Sequence, residues 1–134
     1  MKKVITYIIV VLLIGTGTVI YKNHYSENML SEREASEIAI EAIINDGRRD
    51  WLRLECAQAI TSKKDSSVIS FDIHEFHNAS CGGDKNTGPR ITSVIVNLKT
   101  GEVYDQPTQI DTIDQKWRTI QIEGKDYQVT KKLR

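Results

Sequence analysis

The chain has 134 residues, 40% apolar and 27% charged, which fits one folded domain and excludes both a large multidomain enzyme and a disordered or collagenous chain. Lys plus Arg equals Asp plus Glu at 18 each, so no overall bias argues for a nucleic-acid partner or an acidic solvating tail. That zero is uneven along the chain: Lys2, Lys3 and Lys22 precede every acidic residue, and residues 24–134 carry a net charge of −3.

Residues 4–20, VITYIIVVLLIGTGTVI, run without a charge behind Met1-Lys2-Lys3 and end at Tyr21-Lys22-Asn23. A basic start before an apolar run is an export pattern. No small-x-small pair suited to a signal peptidase lies between Gly15 and Glu27, and Tyr21 stands where the interfacial aromatic of a span belongs. The expectation is a single-pass signal anchor or transmembrane helix over 1–22 in the inner or cytoplasmic membrane. A tether over 23–30 and a domain over 31–134 then face the periplasm or cell exterior.

The exported part opens with Ser31-Glu32-Arg33-Glu34, a capping-box sequence that places an N-cap at Ser31. Ala35, Ile38, Ala39, Ala42 and Ile43 follow helical spacing, with Glu34, Glu37 and Glu41 on the wet side and Gly47 as the stop. Beyond Gly47 the period changes to two. Residues 51–60 read as a strand in preference to a second short helix, and Ser62 to Ser66 as a turn. Val68 to His77 and Ile91 to Leu98 alternate as strands, and Asn97 to Glu102 makes a tight turn into Val103-Tyr104. Pro107 ends or interrupts that strand. WRTIQI and DYQVTK, joined at Glu123-Gly124, form a hairpin. The expected fold is α+β: an N-terminal membrane helix, then one amphipathic helix packed on an antiparallel β-meander. Trp51, Tyr104, Trp117 and Tyr127 are expected to serve the core.

Cys56 and Cys81 are the only cysteines and both lie in the exported part, where thiols oxidise. They permit one intramolecular disulfide; the alternative is two separate thiols, because a turn at Thr61 to Asp65 sets Cys56 opposite Ile73. The stretch from His74 to Arg90 packs two His, a Glu, an Asp, a Cys and three Gly between two strands, and loops of that length are functional or specially braced. A thiol nucleophile at Cys81 served by His74 or His77, with Gly82 and Gly83 N–H groups for an oxyanion, lacks an orienting third residue. A metal site drawing on Glu75, His77, Cys81 and Asp84 meets the objection that His74 and His77 point to opposite faces of a strand. Asp84 to Gly88 matches the first half of a calcium loop, but position twelve is Ile95. The favoured function is a protein-binding loop formed by Ser80, Cys81, Gly82, Gly83, Asp84, Lys85, Asn86 and Arg90, against a wide connection that only caps its own backbone. No catalytic residue, metal or cofactor is assigned.

At Val94-Ile95-Val96-Asn97-Leu98-Lys99-Thr100-Gly101-Glu102-Val103-Tyr104, after a helix and a strand, the chain resembles the PepSY-like group of small exported domains over roughly residues 31–106. The Cys81-Gly82-Gly83-Asp84 loop departs from their pattern. The resemblance implies a helix-on-sheet fold and a role in protein binding or inhibition, without a catalytic residue. In size and address the chain also looks like bacterial immunity proteins. The sequence thus points to a membrane-anchored extracytoplasmic module that binds a protein partner as an inhibitor or immunity protein. Its alternatives are a small metal- or thiol-dependent envelope enzyme using His77 and Cys81, and a purely structural envelope component.

Overall fold

A computed structural model describes residues 29–47, 49–106 and 116–134. The helix α1 spans Glu32–Asn45. Ser31 caps it by accepting the Glu34 N–H on its hydroxyl while the Glu34 carboxylate takes the Ser31 N–H at 2.8 Å, so two orphan donors of the first turn are satisfied reciprocally. Ala35, Ala39, Ala42 and Ile43 are buried, and Gly47, at φ +73°, turns the chain away. Small alanines let the helix lie close to the sheet beneath it.

A 3₁₀ turn at Leu54–Cys56 leads into β1 (Ala57–Lys64), then β2 (Val68–Glu75), β3 (Arg90–Asn97), β4 (Val103–Gln106), β5 (Arg118–Ile122), β6 (Lys125–Val129) and β7 (Lys131–Lys132). Five strands form one antiparallel sheet in the order β1-β2-β3-β4-β7, and β5 pairs only with β6. Alternation sends Ile69, Phe71, Ile73, Val94, Val96 and Val103 to the face under α1, where they form one buried cluster with the helix. Val68, Ile95 and Tyr104 point the other way and meet Ile120, Ile122, Tyr127 and Val129 of the β5–β6 hairpin. The layers are therefore helix, sheet and hairpin. Buried Thr92 donates to Asp105 at 2.8 Å, which gives that carboxylate a partner beneath the helix.

The expected fold is corrected on two points. Among the described residues no helix is long and apolar enough to cross a membrane, and residues 1–22, to which that helix was assigned, lie outside them. The strands also do not make one meander. The tail hairpin leaves the main sheet to cover its back, because Ile122 and Val129 bury against Val68 and Ile95, and the place beside β4 goes to β7, which no sequence signal announces. Of the 23–30 tether, Met29 and Leu30 are described, and both pack on the core, with the Leu30 N–H donating to Leu98 O. Pro107 also lies outside the described residues.

Local readings shift as well. Strand character begins at Ala57, later than the expected 51–60 stretch. The first hairpin turns at Asp65 to Ser67 because the Asp65 carboxylate accepts the N–H groups of Ser67 and Val68 at 3.1 and 3.0 Å. Trp51 and Trp117 are about half exposed, so neither serves the core, whereas Tyr104 and Tyr127 are part-buried against the hairpin cluster.

Candidate functional site

Residues 76–89 connect β2 to β3 and are exposed almost throughout, yet they are fixed at several points. The base is set by an irregularity in register: Ile73 pairs with Thr92 and His74 with Arg90, leaving Ile91 as the extra residue of β3. Such a bulge redirects side chains. Ile91 packs toward the core, and Arg90 is placed across from His74, 3.8 Å from the Asp72 carboxylate. The Glu75 N–H donates to Pro89 O, and the His74 ring meets Gly88 O through Nδ1 at 2.8 Å.

The first half of the loop is bound to the sheet by the disulfide Cys56–Cys81, with Cα atoms 5.6 Å apart. The alternative of two separate thiols is thereby excluded. The later turn explains the geometry: with the hairpin closing at Asp65 to Ser67, Cys56 lies opposite Phe76, whose N–H donates to Cys56 O at 2.7 Å, and not opposite Ile73. The loop need only double back over four residues to bring Cys81 to it. Asn78 makes that reversal, accepting the Ser80 and Cys81 N–H groups on its side chain at 2.8 Å each while its carbonyl takes the Gly82 N–H. Arg53 donates to Ser80 O from outside the loop.

The second half is organised around His77. Its Nε2 lies 3.0 Å from the Glu75 carboxylate, and its Nδ1 lies 3.0 Å from Asp84 O and 2.9 Å from the Thr87 hydroxyl. A carboxylate and a carbonyl only accept, so both ring nitrogens are called on to donate, which is the imidazolium. The Glu75 carboxylate, then the Asp84 carbonyl, accordingly push the His77 pKa above its usual 6.5. Gly83, at φ +72°, passes over the ring: a Cβ there would stand 2.6 Å from Nδ1. The Asp84 carboxylate turns inward to accept from the Asn86 N–H and side-chain amide, and Thr87 donates to Asp84 O.

The eight expected loop residues therefore divide. Cys81, Gly82, Gly83, Asp84 and Asn86 shape the loop, Ser80 contributes a carbonyl to Arg53, and Lys85 and Arg90 present exposed charge outward. The thiol that a nucleophilic Cys81 would need is consumed in the disulfide, and among the described residues no three His, Cys, Asp or Glu side chains are grouped to hold a metal ion. His77, which sequence reasoning considered as a ligand or base, holds the loop together. Arg53 was missed, and an arginine immediately before a three-residue 3₁₀ turn offers no sequence signal for a contact 27 residues away. No family model, curated protein or solved structure matches the chain.

Proposed function

We propose that this protein is an extracytoplasmic protein-binding module, in the manner of an inhibitor or immunity protein, and that the loop over Ser80 to Arg90 is its contact surface. One observation carries the reading. The loop is open to solvent and yet constrained by a disulfide, an Asx turn and a doubly bonded His77, so Lys85 and Arg90 are displayed from a backbone that is already ordered. Binding by a preformed loop avoids much of the ordering cost that a free segment of this length would incur on association. A disulfide also suits an oxidising compartment outside the cytoplasm, consistent with residues 4–20 acting as the export signal. The hairpin at Thr100-Gly101-Glu102 that gives the PepSY-like resemblance supports the same class of function.

The test is affinity capture with the full chain, followed by the same capture with Lys85→Ala/Arg90→Ala. Lys85 lies outside the bonds that fold the loop, and Arg90 adds only a long, half-exposed ion pair to Asp72 at its base, which contributes little, so the variant should stay close to the wild-type melting temperature and lose the captured protein. Equal capture by both would remove the loop from the account.

A further inference from the structure

The turn Asp84 to Thr87 is complete in itself. Thr87 donates its N–H and its hydroxyl to Asp84 O at 2.8 Å each, and the Asp84 carboxylate takes the Asn86 N–H at 2.9 Å and its side-chain amide at 3.1 Å. Among the described residues, the noncovalent bonds that tie this turn to the rest of the fold all run to one group, the His77 ring. Gly82 and Gly83, both at positive φ, precede the turn and Gly88 follows it, so the chain can swing there at little steric cost. Outside these hinges the loop is fastened independently of His77. The disulfide and the Asn78 side chain hold it on one side, and the Glu75 N–H bonded to Pro89 O holds it on the other.

The ring has an acceptor at each nitrogen, the Glu75 carboxylate at Nε2 and Asp84 O at Nδ1, 3.0 Å away in both cases. A neutral imidazole brings one N–H to these two acceptors. The remaining proton stays on Nε2, because a bare nitrogen there would face a full negative charge. Nδ1 then meets Asp84 O lone pair to lone pair. The Thr87 hydroxyl, 2.9 Å from Nδ1, carries a single hydrogen; turning it to the ring takes it from Asp84 O and leaves the two acceptors in contact. Glu75 and Asp84 are the charges that act on the ring, while His74 bonds Gly88 O from the other face of the strand and Cys81 is held in the disulfide.

We propose that His77 is a proton-operated latch. As the imidazolium it holds the turn Asp84 to Thr87, and with it Lys85, against the end of β2. On losing its proton it lets that turn swing free, while the disulfide keeps the first half of the loop in place. The Glu75 carboxylate, then the Asp84 carbonyl, raises the His77 pKa above 6.5, so most molecules are latched at that pH and release follows above the raised value. Control of partner binding through Lys85 rests on the loop being the contact surface; the latch itself does not.

The test is trypsin cleavage after Lys85 in the full chain in a mild detergent, across the His77 titration. Each rate is divided by that of a free peptide of residues 82–90 at the same pH, which cancels the protease's own pH dependence. Cleavage of a closed turn requires local opening, so the ratio follows the open population. It should rise about tenfold as the charge-assisted bond to Asp84 O is lost, while cleavage after Lys63 and Lys64 in β1 stays level. His77→Gln should be cleaved fast at every pH. Glu75→Gln should be cleaved slowly at every pH, because the new amide donates to Nε2 and lets a neutral ring keep its proton on Nδ1 for Asp84 O. A flat wild-type ratio overturns the latch, as does a step that persists in either variant or one shared by Lys63 and Lys64. Affinity capture on both sides of the titration separates the two readings: release of the turn with unchanged capture removes Lys85 from the contact surface and leaves the latch standing.

Discussion

Replacing Cys56 with alanine and Cys81 with serine removes the one covalent link between the loop and the sheet while leaving its hydrogen bonds in place. Alanine suits position 56 because that residue is 3% exposed and a hydroxyl there would be buried without an assigned partner, whereas Cys81 is nearer solvent. The native loop keeps His77 on Glu75 and Asp84, Asn78 on Ser80 and Cys81, and Arg53 on Ser80. The effect therefore falls on the unfolded chain, which regains the freedom that the bridge denied it. For a bridge across a sequence separation of 25, chain-entropy closure corresponds to about 3.5 kcal/mol at 25 °C. Against the typical range of about 5–15 kcal/mol for a domain's total stability, that is a large fraction. Urea unfolding of the oxidised protein and the variant, followed by circular dichroism, measures the difference. The variant should unfold at lower urea with a steeper dependence on denaturant, because its unfolded state exposes more surface. A loss under about 1 kcal/mol with an unchanged slope would refute the reasoning, since the bridge would then constrain nothing that the noncovalent bonds do not already hold.

Three further outcomes follow from the hydrogen bonds. Since the His77 pKa is raised in the folded state, its stabilisation is complete below the unfolded value of 6.5 and is lost as pH rises through the folded one; the urea midpoint should fall across that window in the wild type and stay level in His77→Gln. Gly83→Ala places a methyl against the His77 ring at a positive φ, and should cost about 1–2 kcal/mol in urea unfolding and flatten the same pH step; a wild-type pH profile would show that the ring does not hold this position. Partial burial pushes the Asp65 carboxyl up, but the Ser67 N–H, Tyr127 hydroxyl, Lys125 ammonium and Val68 N–H outweigh it and bring the pKa to about 2. The stability it supplies is thus present above the unfolded value of 3.8 and lost as pH falls through about 2. Asp65→Asn should cost about 1–2 kcal/mol, discounted for solvent around Lys125, and should raise hydrogen exchange in β5 and β6 ahead of α1, because Tyr127 and Lys125 fasten that hairpin to the first turn. Uniform exchange across both elements would separate Asp65 from the hairpin's docking.

What the sequence determined by itself is whatever one turn of chain decides. Ser31 and Glu34 satisfy each other three residues apart, the alanine and isoleucine spacing of α1 defines its buried stripe, and the alternation in Ile69, Phe71 and Ile73 orients β2. Glu123-Gly124 closes the tail hairpin because only two residues need an unusual backbone there. The tertiary structure decided everything that depends on register. The Ser62 to Ser66 cluster is rich enough in polar residues to turn in several places, and Asp65 capping Ser67 and Val68 selects the later one. That choice moves Cys56 from Ile73 to Phe76, and with it Cys81 comes within bridging distance, the Cα atoms 5.6 Å apart. The bulge at Ile91 likewise places Arg90 beside Asp72, and β7 finds β4 only after the hairpin has crossed the sheet's back. Alternation has a period of two and gives the same pattern after any even slip, so a sequence can say which residues share a face while only the packed core says which residues stand opposite.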